Sequence, residues 1–231
     1  MDLIIKSIPF FLLGAWSTIQ ITLVAVGFGC ILGLLGGMGR LSKSKAVRVI
    51  STCYVDFVRG TPLLVQIFIV YFGFPQIMTT IKASLGNPGT TNPIPAFMAA
   101  ALACSMNSGA YVAEIFRAGI QSIEKGQTEA ALSLGMTDKQ AMLFIILPQA
   151  FRRIIPPLGN EFIAMLKDTS LLVVIGYVEL TRQGQLIIAT TFQPFQIWLA
   201  VAFVYLIMTL SISRLVDFTE RRLGVSGHHQ S

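Results

Sequence analysis

Asn160, Glu161, Met165, Lys167 and Asp168 lie together in one otherwise apolar stretch and are the chain's candidates for a solute pathway. From 158 to 175 only Asn160, Glu161, Lys167 and Asp168 interrupt the apolar character, too little for a loop, so the segment reads as a span. Ionisable groups at such depth cost a few kcal/mol or more each and normally face a protein interior or an aqueous cavity. At about 100° per residue, Glu161, Met165, Asp168 and Leu172 form one stripe, with Asn160, Ala164, Lys167 and Leu171 on the next. Both stripes can line one cavity. Three chemistries are compatible with this set: passage of a polar solute, an ion path, or hydrolysis by Ser170 with Lys167 as its base at i,i+3. No oxyanion-hole segment accompanies the serine. The structural alternative is mutual neutralisation, these charges pairing with Arg59, Asp56 or each other to close an interface.

The elements that must position these residues follow from composition. The chain has 231 residues, is 54% hydrophobic and 12% charged, and has a mean hydropathy of +0.71. Soluble domains carry roughly a quarter charged residues, so this is an all-α polytopic membrane protein. Uncharged runs at 7–39, 60–81, 83–113 and 195–213 each hold the ~20 apolar residues a spanning helix needs. The third begins with a loop, because Asn87-Pro88-Gly89 and Asn92-Pro93 are turn signals. With the charged segment, these give about five spans, near 8–39, 47–78, 94–117, 142–176 and 194–215, in a domain of residues 1–224 with a tail at 225–231. The first run exceeds the 7 to 15 residues of a signal-peptide core and reads as a retained span.

Punctuation within the spans carries further expectations. Val47, Ile50, Tyr54 and Phe57 recur at helical spacing ahead of Gly60-Thr61-Pro62, suggesting an interfacial helix before the apolar run from Leu63. Gly29, Gly33 and Gly37 form a small-residue stripe suited to close helix packing, within this chain or with another. Pro156-Pro157 and Gly159 should interrupt or kink the fourth span. Glu114 and Arg117 can pair at i,i+3. Cys30, Cys53 and Cys104 have no metal or redox spacing, and His228 and His229 sit in the polar tail, so no metal is expected.

The net charge of +6 comes without a basic stripe interleaved with aromatics, so it points to membrane orientation and not to nucleic acid. Arg40, Lys43, Lys45 and Arg48 follow span one; Arg117, Lys125, Lys139, Arg152 and Arg153 separate spans three and four; Arg214, Arg221 and Arg222 follow span five. The opposite side has only Lys6, Lys82 and Arg182. The positive-inside rule then puts the N-terminus outside and the C-terminus in the cytoplasm.

Between spans three and four, Glu129-Ala130-Ala131, three residues, Gly135, nine residues, Ile145, one residue and Leu147-Pro148 form a polar loop in this apolar chain. Its residues read as a short surface helix stopped by Gly135. It resembles the EAA coupling loop of the membrane subunits of ATP-binding-cassette (ABC) importers, matching every fixed position. Beyond this loop at 118–141, the chain is similar over nearly its whole length to the polar amino acid uptake class. The resemblance is carried by Gly14-Ala15-Trp16-Ser17-Thr18-Ile19, by 57–66 (FVRGTPLLVQ), by 110–117 (AYVAEIFR), by Gly126-Gln127, by Leu147-Pro148-Gln149-Ala150, and by Asn160 with Lys167-Asp168-Thr169-Ser170-Leu171.

The resemblance implies a type I ABC importer permease fold and alternating access in a cell inner membrane. Gly126, Glu129, Ala130, Ala131, Gly135, Leu147 and Pro148 would couple to separate ATPase subunits. It also implies a second permease chain, identical or a sister, an extracytoplasmic amino acid binding protein, and surrounding lipid. No phosphate-binding glycine loop is present, so ATP and magnesium would belong to the partner and this chain would not itself be an enzyme. An amino acid needs an anion for its ammonium and a cation for its carboxylate, roles that Asp168 or Glu161 and Lys167 would fill. The acidic residues favour a cationic solute, with Lys167 acting the other way.

Overall fold

The computed structural model describes residues 2–86, 89 and 92–223, so the turn signal at Asn87-Pro88 and the tail at 225–231 lie outside the described residues. Among these, regular structure is helical throughout: α1 (Asp2–Arg40), α2 (Lys45–Arg59), α3 (Leu63–Ser84), α4 (Ala96–Gln121), α5 (Lys125–Ser133), α6 (Asp138–Ile175), α7 (Leu180–Thr191) and α8 (Pro194–Leu223). Five of them, α1, α3, α4, α6 and α8, are long and apolar enough to cross a membrane, in agreement with the all-α, five-span expectation.

The glycine stripe of α1 packs inside this chain, against α4. A Cβ added at Gly29 would stand 2.8 Å from Ser108 Cβ, and one at Gly37 would stand 2.9 Å from the Ala113 carbonyl. Small residues therefore let the two backbones meet, which is the usual basis of helix packing where lipid removes the hydrophobic drive. Tyr54 clamps α2 across the same pair by donating to the Met106 carbonyl at 2.7 Å. The central core then forms where Ile21 and Ala25 of α1 meet Ile67 of α3, Ala99 and Ala103 of α4, and Met165 and Leu172 of α6.

Two expectations about the spans need correction. The segment 47–78 is not one helix, since α2 ends at Arg59 and α3 starts at Leu63, with Gly60-Thr61-Pro62 between. Pro62 stands at the N-cap of α3 in extended conformation, where its missing N–H costs nothing. Conversely, Pro156-Pro157 do not interrupt α6, which remains α-helical from Leu147 to Asp168. Packing on either side holds it: a Cβ on Gly119 would lie 2.3 Å from Ile154 Cγ1, and one on Gly159 would lie 2.4 Å from Val216 Cγ2. Gly159 is thus a contact point with α8. The helix changes character elsewhere, with wide π turns over Ala141–Ile146 just before Pro148 and tight 3-10 turns over Thr169–Ile175.

Past the left-handed Gly176 the chain is fastened by Glu179, which is fully buried. Its carboxylate caps α7 by accepting from the backbone N–H groups of Thr181 (2.9 Å) and Arg182 (2.8 Å), and it accepts from the Tyr205 hydroxyl of α8 at 2.8 Å. Thr18 of α1 accepts from the adjacent Leu180 N–H at 3.2 Å. Burial pushes the Glu179 carboxyl above the ordinary carboxylate range, against the pull of these donors.

Candidate functional site

The break between α2 and α3 becomes a polar wall because Gln66 ties it down. Its Nε2 donates to the Val58 carbonyl at 2.7 Å and reaches the Thr61 carbonyl and hydroxyl at 3.0 Å each. The Gln66 Oε1 in turn accepts from Asn107 Nδ2 of α4 at 3.0 Å. Both amides are buried, so each satisfies the other, and the loop is held at mid-height on α4.

Against that wall α6 encloses a cavity of about 540 Å³. Its polar lining is Arg59, Thr61, Asn107, Tyr111, Glu161 and Asp168, with Leu63, Ala164 and Leu171 among its apolar members. Glu161 and Asp168 are therefore brought together, as the stripe suggested, while the other three pathway candidates are placed elsewhere. Met165 is 1% exposed in the central core, and Asn160 and Lys167 are exposed but do not line this cavity. The helical wheel explains it. Taking Glu161 as zero, Asp168 and Ala164 fall at about −20° and −60°, Asn160 and Lys167 at about −100° and −120°, and Met165 at about +40°. The cavity sees a sector narrower than the two stripes.

The charges of α6 are not drawn into close ion pairs. Among the described residues no ion pair within 4.0 Å involves Glu161, Lys167 or Asp168. Arg59 stands instead beside Glu114, and Asp56 beside Arg40. Arg40 Nη1 donates to Glu114 Oε2 at 2.7 Å, the Arg117 guanidinium engages both Glu114 oxygens from one turn away, and Arg59 Nη1 stands 3.8 Å off. Arg40 also approaches Asp56 at 3.6 Å. The expected Glu114–Arg117 pair is thus one member of a cluster joining the ends of α1, α2 and α4. A second cavity, about 430 Å³, borders it and is lined by Arg59, Tyr111, Glu114, Arg153 and Pro157, among others.

Glu129 and Ala130 lie exposed on the short α5. Ala131 does not: it is buried against the chain, so only Ala130 of the pair is free for close approach by another subunit. Gly135 has a left-handed backbone (φ 83°) with open space where a Cβ would point. Its N–H bonds the Leu132 carbonyl at 3.0 Å while the Met136 N–H bonds the Ala131 carbonyl at 3.1 Å, a Schellman ending that favours glycine. Leu134, 84% exposed, presents an apolar tip beside it. The loop is bolted to α6 through Ile123, Ile146, Ala150 and Ile154, through Gln149 to Gln127 (3.3 Å), and through Arg153 to the Ser122 carbonyl (2.5 Å).

A short exposed helix, stopped by a left-handed glycine and fastened to the helix that walls a charged cavity, fits a subunit driven from outside itself. Residues 25–225 match the model of the binding-protein-dependent transport system inner membrane component family. This chain belongs to that family. The permease is 40% identical over 219 residues to the glutamine transport system permease protein GlnP of Escherichia coli K12, covering 95% of both chains. It is 42% identical over 211 residues to the L-cystine transport system permease protein TcyB of Bacillus subtilis 168, covering 91% of the permease and 85% of the relative. A solved amino acid ABC transporter with histidines superposes with a TM-score of 0.84 at 42% identity, over 94% and 96% of the two chains. The MetNI methionine ABC transporter shares the fold, with a TM-score of 0.72 at 17% identity over 94% and 98%. The permease is thus a multi-pass inner-membrane subunit of an ABC importer, and an ion-coupled carrier or a Ser170–Lys167 hydrolase is not favoured.

Thr61, Asn107 and Tyr111 were not among the sequence candidates. Asn107 alone had a usable signal, as an amide in the middle of an uncharged span.

Proposed function

We propose that the permease moves polar amino acids into the cytoplasm by alternating access, with the 540 Å³ cavity as a solute site. The observation that carries this is the convergence of Glu161 and Asp168 on one wall, with amide and hydroxyl groups of Asn107, Thr61 and Tyr111 around them. Two carboxylates facing one polar cavity suit an ammonium or a cationic side chain. Lys167, outside the cavity, does not serve the solute. The names of the glutamine, cystine and histidine-associated relatives support an amino acid cargo.

Two ATPase subunits, carrying ATP and magnesium, dock on α5, and a second permease chain and an extracytoplasmic binding protein complete the importer. The basic residues at the α5 end of the helices support an orientation with that end in the cytoplasm, the N-terminus outside and the C-terminus inside. Glu129 and Gly135 pass ATPase closure to α6, whose first turns include Leu147 and Pro148.

The test is uptake of labelled polar amino acids into proteoliposomes containing the permease, its ATPase subunits and the cognate binding protein. Uptake should require ATP, and Asp168→Asn should lower it at least tenfold while the ATPase still co-purifies. Uptake that persists without the ATPase, or is unchanged in both Asp168→Asn and Glu161→Gln, would overturn the reading.

A further inference from the structure

If the cavity is the solute site, the reading on which this inference rests, an amino acid's carboxylate still lacks a cation, because Lys167 does not reach the cavity. We infer that Arg59 is the carboxylate-binding residue of that site, and that it is shared between the solute and Glu114. Arg59 is the one basic side chain lining the cavity among the described residues, and it also lines the second cavity on the Glu114 side.

Its present attachments are loose. Glu114 is already satisfied by Arg40 at 2.7 Å and by Arg117, whose Nε lies 3.1 and 3.2 Å from the two oxygens. Arg59, at 3.8 Å, is beyond hydrogen-bond range, and its guanidinium rests 5.3 Å from the centre of the Tyr111 ring. Three guanidiniums thus share two carboxylates, Glu114 and Asp56, leaving one positive charge without a matching anion. A planar guanidinium offers a paired donor edge matched to a carboxylate. Arg59 also ends α2 immediately before Gly60, so its side chain stands at the joint between two helices. Cavity acids on one wall and Arg59 on the other complement the two charges of an amino acid, and a solute that draws Arg59 away also loosens the cluster where α4 leads to α5.

The experiment measures equilibrium binding to the detergent-purified permease–ATPase complex without binding protein. The probes are whichever of glutamine, arginine and histidine binds wild type best, and its methyl ester. Wild type should prefer the free acid at least tenfold. Arg59→Gln should lose at least tenfold for the free acid and leave the ester unchanged, and Arg59→Lys should recover part of the loss. Asp168→Asn should weaken both ligands. Equal weakening of acid and ester in Arg59→Gln, or no change in either, overturns the inference while an effect of Asp168→Asn preserves the site. No amino acid binding by wild type, or no effect of Asp168→Asn and Glu161→Gln, overturns the site itself.

Discussion

Gly33 of α1 lies so close to Val112 of α4 that a Cβ added to the glycine would stand 2.4 Å from Val112 Cγ1 and 2.9 Å from the Ala113 nitrogen. The second contact is backbone, so the helices must part to admit any side chain. Gly33→Leu is expected to lower the melting temperature of the purified permease by several degrees, since overpacking costs about 1–3 kcal/mol. Gly27→Ala, where an added Cβ meets nothing within 4 Å, should be neutral or slightly stabilising. Equal melting temperatures for both variants would remove the close approach from the account.

Gly135→Val places a β-branched residue at φ 83°, a strain of about 1–2 kcal/mol for an L residue. The strain falls on the end of α5 and not on a span. The variant should insert normally yet dock its ATPase poorly or hydrolyse ATP without matching uptake. Gly135→Asn, tolerated in that conformation, should restore most coupling. Wild-type ratios of uptake to hydrolysis in the valine variant would count against α5 as the coupling element.

Gln66→Leu removes the amide that holds the Val58 carbonyl, Thr61 and Asn107. Leaving buried partners unsatisfied costs about 1–3 kcal/mol. Both the melting temperature and the affinity for solute should fall, because the same amide fixes one wall of the cavity. A loss of stability with unchanged binding would separate the network from the site.

Glu179 has a raised pKa in the folded chain, so it binds its proton more tightly native than unfolded. Its contribution to stability is fully present below the unfolded value of about 4.3 and is lost as pH rises through the higher native value. Wild type should therefore gain stability over Glu179→Gln as pH falls from neutral into that window. A difference in melting temperature that is flat with pH, or that grows towards alkaline pH, would contradict the burial argument.

Apolar run length was enough to place α1 and α8, because lipid imposes one requirement on every residue of a span. Spacing was enough to find α5, because a helix stopped by a left-handed glycine leaves a local signature. Position around α6 was harder. Met165 sits four residues from Glu161 and three from Asp168, a fitting interval, yet about 40° of rotation carries it into the core. The prolines at 156 and 157 were misleading for the opposite reason: their local effect is real, but the Gly119–Ile154 and Gly159–Val216 contacts seat α6 against α4 and α8, contacts that no neighbouring residue announces. Arg59 and Glu114 are 55 positions apart, and only the crossing of α2 over α4 brings them within 3.8 Å.

The unbroken course of α6 from Leu147 to Asp168 sets a gain on any movement it makes. Twenty-two residues extend about 33 Å, so a tilt of about 5° pivoting near Leu147 carries Asp168 roughly 3 Å. That distance is comparable to one hydrogen bond. Under the proposed coupling, a small angular input at the loop would be magnified along the length of α6 into making or breaking contact at the carboxylate.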